Sequence, residues 1–452
     1  MKKYSVLIFF CFLGYTAAAQ KDTLRVMSYN VLYYGDGCQG PNSYFHNYLK
    51  TIIRYANADI VGLIKMASIP ISPDDKYATA PAGFLDSVMD NAFDSAYSGR
   101  YAYCPFTNAA RSNAINVLFY DKHKLGFSGI VSSYSNITDF NLYKLYYKDQ
   151  NLVDTKDTVF IYVALNNVKS GEENESIRTF QVAGVMDHIK SHFTQLPNLI
   201  SMGDFNIRNT TELCYQRLTA NNDSVYRLLE PPFFPDHKLN YPADWSHNGE
   251  YAPWFSGSTR EIEGVPNNCG PAGGAKTWYD HVFISPWLVN NTNYIKYIRN
   301  SYRTIGNDGK RYRIAVNNKN INNNTSVPAE VVNALYRMSN KYPIMISLEV
   351  AQNNNGKTNT NTEISNVESY VKEEVSVTFP TGDELIMHFP EALKGQEITL
   401  EVLDTDGDNK MKKTLTVNEL ETTVKCKLKK GAYTLKITGK HNLISEISIN
   451  KN

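Results

Sequence analysis

Across residues 24–350, short apolar runs alternate with amphipathic stretches. Leu24–Tyr29 reads as a strand, and Tyr44–Tyr55 spaces its apolar residues three and four apart, the repeat of a helix with one buried face. Asp59–Met66 is a continuous apolar run of strand length, and Asn113–Tyr120 and Val159–Leu165 predict further strands. Arg178–Thr194 predicts a long helix, Leu199–Met202 a strand and Trp278–Ser285 another. Ile344, Ile346 and Leu348 alternate with Met345 and Ser347, a strand with one apolar face. Strands interleaved with helices on this scale predict layered α/β architecture around one large core.

The pattern then changes twice. Residues 351–370, AQNNNGKTNTNTEISNVESY, have nothing to bury and read as a linker. Residues 371–452 carry strand signals only, at Glu374–Phe379, Glu397–Leu403, Thr423–Leu428, Ala432–Ile437 and Ile444–Ile449, which predicts a small β-sandwich. The acidic turn Asp404–Asn409 lacks the later glutamate that would close a calcium loop, and Lys410, Lys412 and Lys413 follow at once, so it reads as a solvated hairpin turn.

Composition narrows the partners. The 452 residues hold 46 lysines plus arginines against 45 acids, so no global field draws the chain to nucleic acid or to an anionic membrane. Residues 1–19 carry Lys2 and Lys3, the apolar run Val6–Leu13 and the small-residue site Ala17–Ala19, the layout of a signal peptide. No other run approaches the length of a membrane span, and the expected location is therefore secreted or at the cell surface. Cys38, Cys104, Cys214, Cys269 and Cys426 remain after cleavage, an odd number that permits at most one or two disulfides and has no metal-site spacing. The expected division is 1–19 signal peptide, 22–350 α/β domain, 351–370 linker and 371–452 β-sandwich.

The candidate chemistry lies in the α/β domain. Ser339-Asn340-Lys341-Tyr342-Pro343 has the outline of a catalytic turn without a carboxylate or histidine. Four other segments, Met27–Leu32, Asp59–Met66, Gly203-Asp204-Phe205-Asn206 and Tyr279–Ser285, occur in the order of signature blocks. Together they resemble the endonuclease/exonuclease/phosphatase superfamily, which hydrolyses phosphate esters with magnesium. Ser256–Arg260 with Gly273-Gly274 is a weaker match to its secreted bacterial members. The resemblance covers residues 24–350 and implies a four-layered α/β sandwich, two packed sheets flanked by helices, with a pocket at the strand ends.

Phosphodiester hydrolysis needs groups that neutralise charge growing on the phosphoryl oxygens, which hard carboxylates and a divalent ion supply. By resemblance, Asn30, Asp204, Asn206 and Asp280 stand at the family's Asn, water-orienting Asp, phosphate-binding Asn and His-polarising Asp. Lys65 stands at the metal-anchoring Glu, Asn167 at the mid-chain His, and Asn340 and Lys341 at the final Asp-His pair. A protonated lysine cannot ligate magnesium. The pocket is expected to hold Asp204 and Asp280 against the ammonium groups of Lys65 and Lys341, with no metal. Strict strand alternation would place Lys65 with Val61 and Leu63, on the face opposite Ile60, Gly62 and Ile64.

No histidine offers itself as a replacement. His281 follows Asp280 and so faces the other side of the strand. His188 and His192 read as one solvated helix face, and His237, His247, Trp245, Trp254, Phe255 and Arg260 as packing near the rim. The resemblance therefore implies a catalytically degenerate, non-catalytic member, a pseudoenzyme, whose lysines recruit an anionic small molecule or phosphate ester. A magnesium-dependent phosphodiester hydrolase of endonuclease or sphingomyelinase-like type, with an altered site, is the alternative. Residues 371–452 resemble the C-terminal sorting domains of type IX secretion through Leu428–Tyr433 and the closing Ser445–Lys451 strand, which implies the secretion machinery as partner. An accessory β-sandwich that binds glycan or protein is the other reading of this module.

Overall fold

A computed structural model of the chain describes residues 21–36, 42–68, 84–148, 158–219, 224–261, 270–290, 294–351, 376–378, 383–389, 395, 397–439 and 443–451. The signal-peptide and linker expectations, and Cys38 and Cys269, lie outside them.

Two sheets form the α/β part. The first runs β10 (Ile295–Tyr297), β12 (Ile344–Ala351), β1 (Lys21–Tyr34), β2 (Ile60–Ala67), β4 (Ala114–Asp121), β3 (Tyr101–Tyr103), with β11 (Arg303–Thr304) also paired to β12. The second runs β5 (Leu125–Ser135), β6 (Asp139–Tyr147), β7 (Phe160–Asn167), β8 (Leu199–Asp204), β9 (Asp280–Ile284). The sheets pack face to face through β1, β2 and β4 on one side and β7, β8 and β9 on the other. Gly62 marks a close approach: a Cβ there would lie 2.7 Å from Leu165 Cδ2 and Met202 Cε.

Helices cover the outer faces and complete the four-layered sandwich. In α1 (Asn42–Ala56) the buried Phe45, Leu49, Ile52, Ile53 and Ala56 form a single stripe. The helix ends where Asn57 adopts φ +47°, its amide donating to the Ile53 carbonyl at 2.9 Å, a left-handed C-terminal stop. Helix α2 (Glu175–His192) packs on α3 (Leu213–Thr219) and on β5, whereas α4 (Ala329–Met338) packs on α1. In α2, Arg178 is buried against Glu212 at 2.9 Å, and His188 Nδ1 lies 3.0 Å from Ser132 Oγ. The face expected to be solvated is thus turned toward the sheet, and burial followed by the nearby His192 holds His188 down at about 4.

The C-terminal part has its own core. One sheet runs β13 (Ser376–Thr378), β14 (Glu384–His388), β17 (Glu421–Lys425); the other runs β16 (Asn409–Thr416), β15 (Glu397–Leu403), β18 (Gly431–Gly439), β19 (Leu443–Lys451). Leu385, Met387, Leu400, Val402, Val424, Leu435 and Ile437 meet inside. The acidic turn joins β15 to β16, with Lys410 Nζ 2.6 Å from Asp404 Oδ2. No helix among the described residues is long and apolar enough to cross a membrane.

Candidate functional site

Strand pairing assembles the site. Asp204 ends β8, Asp280 begins β9, and the antiparallel register sets them directly opposite, so both carboxylates project to one side. The parallel pairing of β7 with β8 brings Asn167 beside Asp204. Gly203 makes that pairing possible: its φ is +144°, and a Cβ would sit 1.9 Å from the Asn166 carbonyl oxygen. From the other sheet, Asn30 Nδ2 donates to Asp204 Oδ2 at 2.8 Å, while Asn30 Oδ1 accepts from the Leu32 amide. Asn206, at φ +52°, donates its side-chain amide to the Val168 carbonyl at 2.8 Å and so braces the loop after β8.

Lys341 enters from the turn between α4 and β12. Its Nζ lies 3.1 Å from Asp280 Oδ2 and 3.6 Å from Asp204 Oδ2. The three residues are nearly out of solvent, at 7 % exposed for Lys341, 1 % for Asp280 and 2 % for Asp204. Ser256 Oγ donates to Asp280 Oδ2 at 2.7 Å. The turn is fixed from several sides. Ser339 Oγ donates to the Asn30 carbonyl at 2.8 Å, Thr259 Oγ1 to the Ser339 carbonyl at 2.6 Å, and Asn340 Nδ2 to the Pro271 carbonyl at 3.0 Å. Arg260 donates to the Tyr336 and Arg337 carbonyls, each at 3.1 Å, and so closes the C-terminal end of α4 just ahead of this turn.

The electrostatics follow from burial. Asp280 is pushed up to about 6 by loss of solvent, with Lys341 opposing and Asp204 adding to the rise. Burial works against the Lys341 ammonium, yet Asp204 and Asp280 outweigh it and hold its proton more tightly than usual. Oδ1 of Asp204 and Oδ1 of Asp280 are buried without a hydrogen-bond partner.

Lys65 departs from its expected place. Pairing of β2 shifts register against both β1 and β4 around this residue, and Lys65 takes φ +63°, so simple alternation fails at a bulge. Its Nζ sits 4.7 Å from the centre of the Tyr33 ring, and no ion pair joins it to Asp204 or Asp280. Among the described residues, Lys341 is the ammonium paired with both acids. Asn167 is buried beside Asp204, and Asn340 reaches Pro271 rather than the acids.

Any divalent ion here would have to compete with the ammonium already between the acids. The Asp204 and Asp280 Oδ2 atoms both face Lys341 Nζ, and no cluster of three or more His, Cys, Asp or Glu suited to a metal occurs among the described residues. His281 turns away as strand alternation requires. Its Nδ1 lies 2.5 Å from Glu230 Oε1 inside a shell that includes Trp245, Trp278 and Phe283. Trp245, Phe255 and Arg260 are likewise buried rather than placed at a rim. Cys104, Cys214 and Cys426 are free and buried. Sequence reasoning quoted Ser339 and Tyr279 within their segments but gave neither a role; the Tyr279 ring centre lies 5.1 Å from Lys341 Nζ.

No family model matches the chain, and no curated protein does. Among solved structures, D. rerio TDP2 complexed with single-strand DNA product is 13 % identical with a TM-score of 0.42, covering 72 % of this chain and 98 % of its own. The human Nocturnin catalytic domain is 13 % identical with a TM-score of 0.41, covering 73 % and 96 %. An endonuclease/exonuclease/phosphatase family protein from Bacteroides thetaiotaomicron is 14 % identical with a TM-score of 0.40, covering 74 % and 97 %. Likeness at this level decides nothing about chemistry.

Proposed function

We propose that this chain is an exported, non-catalytic protein of endonuclease/exonuclease/phosphatase-like fold in which Lys341 acts as the resident counter-ion of Asp204 and Asp280. The observation that carries the reading is the Lys341 ammonium at 3.1 Å from Asp280 and 3.6 Å from Asp204. Hydrolysis of a phosphodiester requires charge neutralisation at the phosphoryl oxygens and a proton acceptor near the attacking water. Here the ammonium is committed to the acids, and His281 is engaged with Glu230. Two carboxylates against one ammonium also disfavour an anion in the same cavity.

A second reading, a magnesium-dependent phosphodiester hydrolase, is favoured by Asp204 Oδ1 and Asp280 Oδ1, two buried carboxylate oxygens without a donor. Calorimetric titration with magnesium chloride and turnover assays on plasmid DNA, RNA and sphingomyelin separate the two. The first reading expects no magnesium site of millimolar or tighter affinity and no turnover. Binding or turnover that disappears in Asp204→Ala would establish the second. For the module at 371–452, the reading is a cleavable type IX sorting domain. Its test is the mass of the protein released by cells: a chain still carrying that module excludes removal.

A further inference from the structure

Four segments are tied together near the ends of β8 and β9 that carry the two acids. Arg208 follows Asp204 by four positions and Lys276 precedes Asp280 by four, which at full extension is a reach of about 14 Å. Arg208 Nη2 donates to Ser246 Oγ at 3.1 Å, and Ser246 Oγ lies 3.2 Å from His247 Nδ1. Tyr312 donates its hydroxyl to the His247 carbonyl, tying in a third segment. The Arg313 amide donates to the Ala275 carbonyl at 2.9 Å, and a Cβ on Gly274 would fall 2.0 Å from the Arg313 carbonyl carbon. The segment holding Lys276 is thereby locked against the one holding Arg313. In turn the Lys276 amide donates to the Gly257 carbonyl at 2.7 Å, and Gly257 bridges to Lys341.

The charges on this framework are unbalanced. Arg208 pairs with Glu172 at 3.0 Å, but Glu172 is 78 % exposed and such a pair is weak. Lys276 and Arg313 have no carboxylate partner among the described residues. Both His247 (φ +58°) and Arg313 (φ +59°) are held in the left-handed region, which costs a non-glycine residue energy and is often found where a side chain must be aimed.

We propose that Arg208, Lys276 and Arg313, gathered around His247, form a recognition site for a tetrahedral dianion, a sulfate or phosphate group. The Arg313 guanidinium can supply paired donors that match oxyanion geometry, Arg208 adds a guanidinium charge once its exposed pair with Glu172 gives way, and the Lys276 ammonium adds a compact charge. Burial first, then Arg208, Lys276 and Arg313, lowers the His247 pKa, with Glu172 opposing. A dianion cancels those positive fields and favours the imidazolium, so it is bound more tightly as pH falls. The site goes beyond the counter-ion reading of Lys341 and does not depend on it.

The test is isothermal titration of the full chain with inorganic sulfate at low ionic strength, sulfate being dianionic throughout pH 5.5–8.5. Saturable binding is expected, weakened about tenfold or more in Lys276→Ala or Arg313→Ala and abolished in the double variant. Binding should tighten as pH falls, and His247→Gln should flatten that profile. A sugar phosphate monoester at pH 8.5, where it is dianionic, distinguishes sources: tighter binding than sulfate identifies an ester group, equal or weaker binding the free ion. All three substitutions lie on the surface or half-buried, and circular dichroism verifies folding. No saturable binding by the wild type, or binding indifferent to the double variant, or a pH profile unchanged by His247→Gln, would overturn the proposal.

Discussion

At Lys341, one side chain reconciles two carboxylates that water cannot reach. Removing one member of a buried ionic set leaves the others uncompensated, which costs more than the set itself contributes. Lys341→Met should therefore destabilise folding by about 3–5 kcal/mol, read from the midpoint of urea unfolding at constant slope. Asp280 supplies a pH signature. Its native pKa is raised to about 6, so its contribution to stability is fully present below the ordinary carboxylate pKa and is lost as pH rises through about 6. The loss is on the order of 3 kcal/mol. Asp280→Asn removes this titration, so wild-type stability minus that of Asp280→Asn should fall between pH 4 and 6 and stay level above. A flat difference across that window would refute the assignment. The identities at Asp204, Asp280 and Lys341 were legible in the sequence because each lies in or beside a recognisable block. The placement of Lys65 was not, because a bulge in the pairing and a left-handed backbone at this residue break the simple alternation.

Among the elements, recognition tracked apolar contrast. Helix α1 and strands β2, β4, β7 and β8 stand out because both faces, or one full stripe, are buried. The β5–β6 hairpin went unread: β5 contains Gly126 and Gly129, serines that range from buried to exposed, and two register shifts. Strand β16, Asn409–Thr416, buries none of its residues and so has no contrast to show. Edge strands of this kind are held by the ladder to their neighbour, not by a hydrophobic face. Where β7 meets β8, the Gly203 position allows no side chain. Gly203→Ala should lower stability by on the order of 3 kcal/mol or more and reduce the yield of folded protein, since both the dihedral and the Asn166 carbonyl oppose it. A melting temperature unchanged in Gly203→Ala would show that the pairing can relax.

At the scale of the molecule, two clusters of buried apolar residues form among the described residues, with no member in common. Substituting Leu400→Ala in the smaller cluster should cost it about 2–5 kcal/mol, while Ile200→Ala should act on the larger. Calorimetry should show two thermal transitions, each shifted by only one of the variants; a single transition shifted by both would mean the cores unfold together. The proposed dianion site belongs to this scale as well. Arg208, His247, Lys276 and Arg313 are strewn over more than a hundred positions in a chain of net charge +1, so neither a motif nor the overall balance reveals them. Folding alone gathers them.

A cation carried on the backbone by Lys341 has one more consequence. It is delivered in fixed stoichiometry with the polypeptide and never dissociates into the medium. On the counter-ion reading proposed above, folding requires no divalent supply, and chelators such as EDTA should leave the melting temperature of the protein where it was.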